Sequence, residues 1–281
     1  MLVIMEGRLT VRKAVACIAI LLLASLALVL GFYVLPMIRG ETIRVPEDYE
    51  RIQWAIGNVS DGDIIIVNEG YYVEGQIDIY KSGLTLKANG TVVVDGLQEG
   101  HVFHITGNRT RIQGFTVMNA SRERTPVVYD RDHNWWTGIY LNGTQGCVVY
   151  NNTITKNYRA VELWHSVHND IIGNYIVGND EGVTIFRSYS RNDLFDNVLV
   201  NNRIGFDLDG CNHSRFINNM FAISDFSIGG ATGFDIGVYS YHNEIMNNTI
   251  RNCLEPITTY WNALERNKVE NNTIIDNVHG N

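Results

Sequence analysis

Short apolar segments separated by polar turns repeat along most of the chain. One unit consists of Gly138-Ile-Tyr-Leu-Asn142, then Cys147-Val-Val-Tyr150, then Thr153-Ile154, with turn residues between them. Each segment is too short for a helix and is rich in the β-branched and aromatic residues that are typical of strands. Three short strands in about 22 residues predict one coil of a parallel β-helix, which buries its apolar side by stacking on its neighbours.

A recurrent asparagine turn sets the length of the unit. The second residue of each turn falls at Asn152, Asn174, Asn197, Asn219, Asn248 and Asn272, with steps of 22, 23, 22, 29 and 24 residues. Asparagine tolerates a left-handed backbone, and stacked amides can hydrogen-bond from coil to coil, so we expect these residues at a corner. The period excludes ankyrin and tetratricopeptide repeats, and the leucine pattern of leucine-rich repeats is missing.

Upstream of this region the predicted strands are less regular but continuous. They are Ile64–Val67, Ile77–Ile79, Leu84–Leu86, Val92–Val94, Val102–Ile105 and Ile112–Val117. Before them, Glu47–Val59 has helical apolar spacing, with Pro46 in its first turn and Asp61-Gly62 as its stop. This helix is expected to cap the first coil. No second cap is recognisable, so the last coil is either covered by residues 275–281 or open to a protein partner.

The first 40 residues form a separate segment. Residues 14–35 are 22 consecutive uncharged positions, enough for a transmembrane helix. Arg8, Arg12 and Lys13 precede them, which places the N-terminus in the cytoplasm and residues 41–281 outside. We therefore predict a membrane-anchored extracytoplasmic protein, with residues 1–40 as stub and anchor. If the segment is instead a signal peptide cleaved near Gly40, the protein is secreted.

Composition narrows the choice of partners. The formal net charge is −8, and without the first 40 residues the chain has 18 basic and 29 acidic side chains, or −11. Such a surface repels phosphate backbones, which excludes nucleic acid as a partner. Cys147, Cys211 and Cys253 are widely spaced and are interpreted as packing residues. Nine N-x-S/T sequons, several in the asparagine turns, offer glycan sites.

The start of the repeat resembles a known family. The residues that carry the resemblance are Ile43-Arg-Val-Pro-Glu-Asp-Tyr-Glu-Arg-Ile-Gln-Trp-Ala-Ile56, Asp61-Gly-Asp-Ile-Ile-Ile-Val67 and Gly70-Tyr-Tyr-Val-Glu74. They resemble the opening of NosD-like and pectin-lyase-like β-helix proteins, the carbohydrate-binding and sugar-hydrolase group. The expected fold is therefore all-β: a single-stranded, right-handed parallel β-helix of about 22-residue coils, with a capping helix and a preceding transmembrane helix.

One strand of each coil offers a candidate functional face. Its inward positions are expected to be Ile139/Leu141, Val161/Leu163, Val183/Ile185, Phe206/Leu208, Ile236/Val238 and Ile257/Thr259. Because side chains alternate along a strand, the residues that follow these inward positions form two rows that point outward. They are Tyr140, Glu162, Thr184, Asp207, Gly237 and Thr258, and Asn142, Trp164, Phe186, Asp209, Tyr239 and Tyr260. Carboxylates beside aromatic rings on an exposed face suit a sugar-binding groove, because rings stack on sugars and carboxylates accept hydroxyl hydrogen bonds.

Chemical roles follow from this placement. The substrate-binding candidates are Tyr140, Trp164, His165, Phe186, Tyr239, Tyr260 and Trp261, with His133, Trp135 and Trp136 from an insertion over residues 119–136. The catalytic candidates are Glu162, Asp207, Asp209 and Arg187. Glu162 and Asp207 lie about 10 Å apart at strand spacing, near the separation of inverting glycosidases. Alternatively, the three acids hold Ca²⁺ and Arg187 is the base, as the resemblance to pectate lyases implies.

Three functions remain open at this point. The first is a protein that binds, or also hydrolyses or cleaves by elimination, a polysaccharide or surface glycan. The second is a structural or assembly protein of the cell surface. The third is a NosD-like copper accessory protein, which needs clustered His, Met or Cys ligands. The eight histidines are scattered in sequence, and a close pair such as His165 and His168 is not a cluster of ligands, which disfavours copper.

Overall fold

The chain winds into a right-handed parallel β-solenoid of about nine turns. The computed structural model describes residues 40–121, 136–225, 228–260 and 263–275. In chain order the strands are β1 (Thr42–Val45), β2 (Ile64–Val73), β3 (Ile77–Ile79), β4 (Thr85–Asp95), β5 (Phe103–Ile105), β6 (Arg111–Gln113), β7 (Thr116–Met118), β8 (Thr137–Asn142), β9 (Val148–Tyr150), β10 (Thr153–Thr155), β11 (Arg159–Trp164), β12 (Asp170–Ile172), β13 (Tyr175–Val177), β14 (Glu181–Phe186), β15 (Asp193–Phe195), β16 (Val198–Val200), β17 (Ile204–Asp209), β18 (Arg215–Ile217), β19 (Met220–Ala222), β20 (Thr232–Ile236), β21 (Glu244–Met246), β22 (Thr249–Arg251), β23 (Glu255–Thr259), β24 (Lys268–Glu270) and β25 (Thr273–Ile275).

Every strand pairs in parallel with strands of the neighbouring coils, which produces three stacks. The first stack runs through β1, β6, β9, β12, β15, β18, β21 and β24, and the second through β7, β10, β13, β16, β19, β22 and β25. The long strands β2 and β4 belong to both, so these two stacks form one 17-stranded sheet. The third stack is an eight-stranded sheet of β3, β5, β8, β11, β14, β17, β20 and β23. It contains the predicted functional face.

The inward rows of the third stack confirm most of the predicted strand phase. The pairs Ile139/Leu141, Val161/Leu163, Val183/Ile185 and Phe206/Leu208 are fully buried. In β20 the prediction is wrong by two residues, because Phe206 pairs with Phe234 and Leu208 with Ile236. Val238 lies beyond the strand and is 38% exposed. This coil contains the insertion over residues 222–232, whose length hides the register in the sequence.

The predicted asparagine corner is confirmed, and it lies between the first and second stacks. Each buried amide donates from Nδ2 to the Oδ1 of the next asparagine, as from Asn152 to Asn174 (3.1 Å) and from Asn174 to Asn197 (3.0 Å). The same Nδ2 of Asn174 also donates to the carbonyl of Val149, 2.9 Å away. The amides thus satisfy backbone groups that the turn leaves unpaired inside the solenoid.

Two further amide ladders stabilise the other corners. One joins Asn157, Asn179 and Asn202, each five residues after a member of the first ladder. The other includes Asn169 and Asn192, which are linked at 3.1 Å, and ends with the pair Asn243 and Asn267. Sequence reasoning missed both, although the constant offset of five residues is a signal for the first.

The predicted capping helix is shorter than expected. Helix α1 (Ile52–Asn58) buries Ile52, Ala55 and Ile56, whereas Pro46 and the three residues after it lie outside it. The Glu74 carboxylate accepts hydrogen bonds from the backbone N–H groups of Ile52 and Gln53 at 2.6 and 3.0 Å. A carboxylate of the next coil therefore accepts hydrogen bonds from backbone N–H groups that have no partner inside the helix. Apolar spacing alone could not show that the helix begins at position 52 and not at position 47.

The predicted membrane segment, residues 14–35, lies outside the described residues. Within the ranges that the structure describes, no helix combines the length and apolarity needed to cross a bilayer. Cys147, Cys211 and Cys253 are buried, in agreement with their interpretation as packing residues.

Candidate functional site

A buried ion cluster lies at the centre of the outward face of the third stack. The Arg159 guanidinium donates to Glu181 (Nε to Oε2, 2.7 Å) and to Glu162 (Nη1 to Oε1, 3.3 Å). The hydroxyl of Thr137 donates to Glu162 at 2.9 Å, and that of Thr184 to Glu181 at 3.1 Å. Burial alone would lower the pKa of Arg159, but the two glutamates outweigh it and raise that pKa. The guanidinium therefore stays charged and binds both carboxylates.

This cluster corrects the prediction for Glu162. The expected outward, solvated glutamate is fully buried, and its carboxylate is already bound by Arg159 and Thr137. A catalytic or Ca²⁺-binding role for Glu162 therefore stays a prediction, at a position that is buried and not solvated. Arg159 and Glu181 were not among the predicted site residues. Each lies three positions before a predicted row residue, at the start of its strand.

Small residues allow the strands of this face to start close together. A Cβ atom on Gly182, Gly205 or Gly233 would lie 2.5 Å from a backbone carbonyl oxygen of the next coil. Real Cβ atoms do not approach carbonyl oxygens so closely, so glycine is required here. In this register Glu181, the residue before Gly182, lies beside Arg159 of the preceding coil.

Two aspartates face each other next to the ion cluster. Asp207 of β17 pairs in register with Asp235 of β20, where the sequence had predicted Gly237. Burial, with Glu181 as the next cause, raises the pKa of Asp207 to about 7 against the pull of Arg159. Burial and Glu255 raise the pKa of Asp235 as well. Within the part of the chain that the structure describes, Asp235 Oδ1 is the one buried side-chain oxygen or nitrogen without a hydrogen-bond partner.

Burial is the largest cause of both pKa shifts, and nearby negative charges add to it. Strand spacing puts the two Cα atoms about 4.8 Å apart, so ionising one carboxyl opposes ionising the other. The negative charge of Asp235 is also the largest cause that raises the pKa of Tyr260, which is 48% exposed. Asp207, Asp235 and Tyr260 therefore form one partly exposed group. Asp209 contributes to it, since its charge also raises the pKa of Asp207.

Aromatic side chains flank this group on the preceding coils. Trp164 and Phe186 stack with ring centroids 4.7 Å apart and planes 2° apart. The Arg187 guanidinium lies over both rings, 5.1 Å from Phe186 and 5.7 Å from Trp164. The ring of His165 meets Trp164 edge-on at 4.9 Å. Of the predicted aromatic row, Trp164 and Phe186 are thus brought together, with Arg187 engaged by cation–π contacts.

A second aromatic cluster lies nearer the N-terminus. Tyr140 stacks with His101 at 4.4 Å and with His104 at 5.3 Å, and Trp136 meets His101 edge-on at 4.9 Å. Asp78 contacts His104, 2.9 Å from Oδ1 to Nδ1. Burial, with Glu162 as the next cause, raises the pKa of Tyr140 far above its ordinary value. Sequence reasoning missed His101 and His104, because the upstream coils were not aligned with the face.

Among the described residues of the prediction, Tyr239 does not join these clusters. Tyr239 is 63% exposed and lies in a turn after β20, so its place in the outward row is wrong. His133, Trp135 and Trp261 lie outside the described residues.

The described residues do not fit a metal site. Among them, no group of three His, Cys, Asp or Glu side chains could hold an ion. Copper prefers thiolate, thioether and imidazole ligands. Here burial raises the pKa of Cys211 to about 12 and that of Cys253 to about 11, which keeps both thiols protonated.

Comparisons with solved structures show the fold. The chain is similar to an alginate lyase from Paenibacillus sp. str. FPU-7, with a TM-score of 0.60 and 16% identity over 85% of this chain and 98% of that one. A pectin methylesterase in complex with a hexasaccharide gives 0.53, with 12% identity over 79% and 81% of the two chains. Pectate lyase Pel9A gives 0.51, with 14% identity over 83% and 79%.

Comparisons of sequence identify the family. A cell surface glycoprotein of Methanothermus fervidus is 31% identical over 121 residues, which are 42% of this chain and 18% of that protein. The chain thus matches less than a fifth of the length of this relative. The family described as periplasmic copper-binding protein (NosD) matches residues 56–232. A match over more than half of the sequence, on a right-handed β-solenoid, shows that the chain belongs to the NosD family.

Proposed function

We propose that the outward face of the third stack binds a polysaccharide or surface glycan. The observation that carries the proposal is the partly exposed group of Asp207, Asp235 and Tyr260, next to the stacked rings of Trp164 and Phe186. Aspartates accept hydrogen bonds from sugar hydroxyls, and rings pack on the C–H faces of sugars. The polysaccharide enzymes and the surface glycoprotein similar to this chain support the same ligand class.

This function also assigns a location to the protein. Residues 14–35 anchor the chain in a membrane, with the solenoid outside, and α1 caps its first coil. The last coil is either covered by residues 275–281 or open to a protein partner. Protease added to intact cells should digest the solenoid and leave the anchor in the membrane. Full protection of the solenoid would contradict this orientation.

Binding is tested on a glycan array with the full-length chain. Tyr260→Ala and Trp164→Ala should each weaken binding about fivefold or more, as expected for a lost stacking contact of about 1 kcal/mol. Tyr175→Ala is the matched control, because Tyr175 is 44% exposed on the second stack and should not matter. Equal binding by all three variants, to a glycan that the parent recognises, would refute a binding site on this face.

One observation favours a second function, glycan hydrolysis. Asp207 and Asp235 resemble a carboxyl pair that shares one proton, which would also give Asp235 Oδ1 the donor it lacks. Side chains on strands about 4.8 Å apart can bring their carboxyl groups closer than the separation of about 6.5–9.5 Å in inverting glycosidases, so this pair does not suit inversion. A reducing-sugar assay decides between the two functions. If the protein is a hydrolase, Asp207→Asn and Asp235→Asn should abolish turnover and keep binding. If the parent protein binds glycans but turns over none of them, it is a binding module.

A further inference from the structure

A column of basic residues runs along the corner between the third and first stacks. Parallel pairing of the first-stack strands aligns the residue that lies two positions before each strand. We call this set the corner column: Gly83, Arg109, Gly146, His168, Arg191, His213, His242 and Arg266. Backbone bonds support the alignment, since His168 N–H donates to Arg191 O, and His242 N–H to Arg266 O at 2.7 Å. Neighbouring members are therefore one coil, or about 4.8 Å, apart.

The charge of this column differs from that of the protein. The column contains three arginines, three histidines, two glycines and no acid, on a chain with a net charge of −8. Its six side chains are all exposed. Residues with a left-handed backbone also line up at the corner between the first and second stacks. They include Asn151, Asp196, Asn218 and Asn247, which are neutral or acidic. A left-handed backbone at a corner therefore does not by itself explain why the corner column contains arginine.

Glycine at position 146 opens a recess in this column. Arg109 and His168 stand on either side of it, and the recess has a volume of about 340 Å³. Its lining residues are Ser82, Asn108, Arg109, Gln145, Gly146 and His168, none of which is acidic. Within the described ranges, Arg109 forms no ion pair, whereas Arg191 is neutralised by Asp193. The positive charge of Arg109 is thus available to a ligand.

The column continues past the recess in the direction of the C-terminus. A second recess of about 240 Å³ shares His168 and reaches Arg191, but Asp170 and Asp193 also line it, so the first recess is the better place for an anion. Beyond it, the rings of His213 and His242 stack with centroids 5.1 Å apart. A ligand that contacts both ends of this column must therefore be extended and must carry repeated groups that accept hydrogen bonds.

We propose that the corner column binds an acidic polysaccharide, with one carboxylate in the recess between Arg109 and His168. Guanidinium groups bind carboxylates with two parallel hydrogen bonds, and the amides and hydroxyl of the recess suit the neighbouring sugar hydroxyls. The acidic remainder of the surface repels a polyanion and so confines it to this corner. This site is separate from the glycan face of the third stack, and it does not depend on that function.

Titration calorimetry of the full-length chain with oligogalacturonate, at low salt, tests the proposal. The protein is produced in a host without N-glycosylation, because Asn108 is a sequon residue. Arg109→Gln should lower the affinity about tenfold or more, and His168→Gln should lower it less, both with an unchanged melting temperature. Arg251→Gln, an exposed arginine on the second stack, is the control and should bind like the parent. Added salt should weaken binding by the parent.

Three results would overturn the proposal. The first is a parent that does not bind oligogalacturonate, or that binds neutral dextran equally well. The second is unchanged affinity in both Arg109→Gln and His168→Gln. The third is equally tight binding of a single-stranded DNA oligonucleotide, which would make the column a general anion site. Asp207→Asn should leave this binding unchanged, so failure of the glycan face and failure of the corner column remain distinguishable.

Discussion

The outward faces of the second and third stacks follow the same alternation of side chains but differ in burial. On the second stack, Tyr175 is 44% exposed, and strands of three residues leave both flanking side chains at the surface. On the third stack, strands of up to six residues carry Tyr140, Glu162 and Thr184, all of which are buried. Alternation therefore separates core positions from the rest, but it does not decide which outward positions reach water.

The largest expected effect tests the buried side of this comparison. Arg159→Leu removes the cation that contacts both Glu162 and Glu181. Loss of the shared partner of two buried carboxylates should lower the free energy of unfolding by about 3–5 kcal/mol. Arg251→Leu, on the exposed second stack, should change it by less than about 0.5 kcal/mol. Urea unfolding measures both, and equal stability of the two variants would show that the cluster is solvated.

A smaller effect is expected from one added charge. Thr184 is buried and donates to Glu181, so Thr184→Asp places a carboxylate against another carboxylate. We expect a loss of about 2–3 kcal/mol. Thr153→Asp, at a half-buried outward position of β10, should cost less than about 1 kcal/mol. If thermal melts showed a larger loss of stability for Thr153→Asp than for Thr184→Asp, the difference in burial between the two faces would be refuted.

The smallest effect depends on pH. The folded state raises the pKa of Asp207 to about 7, so the folded protein is favoured when this carboxyl is protonated. Its contribution is present below the unfolded pKa of about 4 and is lost as the pH rises to about 7. Asp207→Asn should therefore be more stable than the parent at pH 8, by about 1–2 kcal/mol after allowance for solvent screening. At pH 4 the difference should vanish, and a gain that is constant with pH would contradict the shifted pKa.

The sequence was sufficient for the features that repeat. The asparagine turns and the inward pairs from Ile139 to Leu208 recur at nearly constant spacing, so their corner and phase could be predicted. The register of Asp235 could not, because the insertion over residues 222–232 breaks that spacing. The burial of Glu162 could not be predicted either, because it depends on the ion pair with Arg159. The alternation of side chains along a strand does not identify that partner.

The histidines show the same limit more clearly. In sequence, His213 and His242 are 29 residues apart and look unrelated. The coil length places them one above the other, with stacked rings. In a solenoid, proximity depends on position within the coil and not on distance along the chain.

The asparagine ladders have a consequence for how such a protein changes in evolution. Each amide makes the same bonds to the coil before and the coil after, so Asn174 and Asn197 are interchangeable links. A duplicated or deleted coil would meet amides of the same kind on both sides, and the new junction would need no compensating substitutions. The number of coils can therefore change in evolution under weak selection. Each coil that is added or lost adds or removes one residue of an exposed column such as the one through Arg109 and His168.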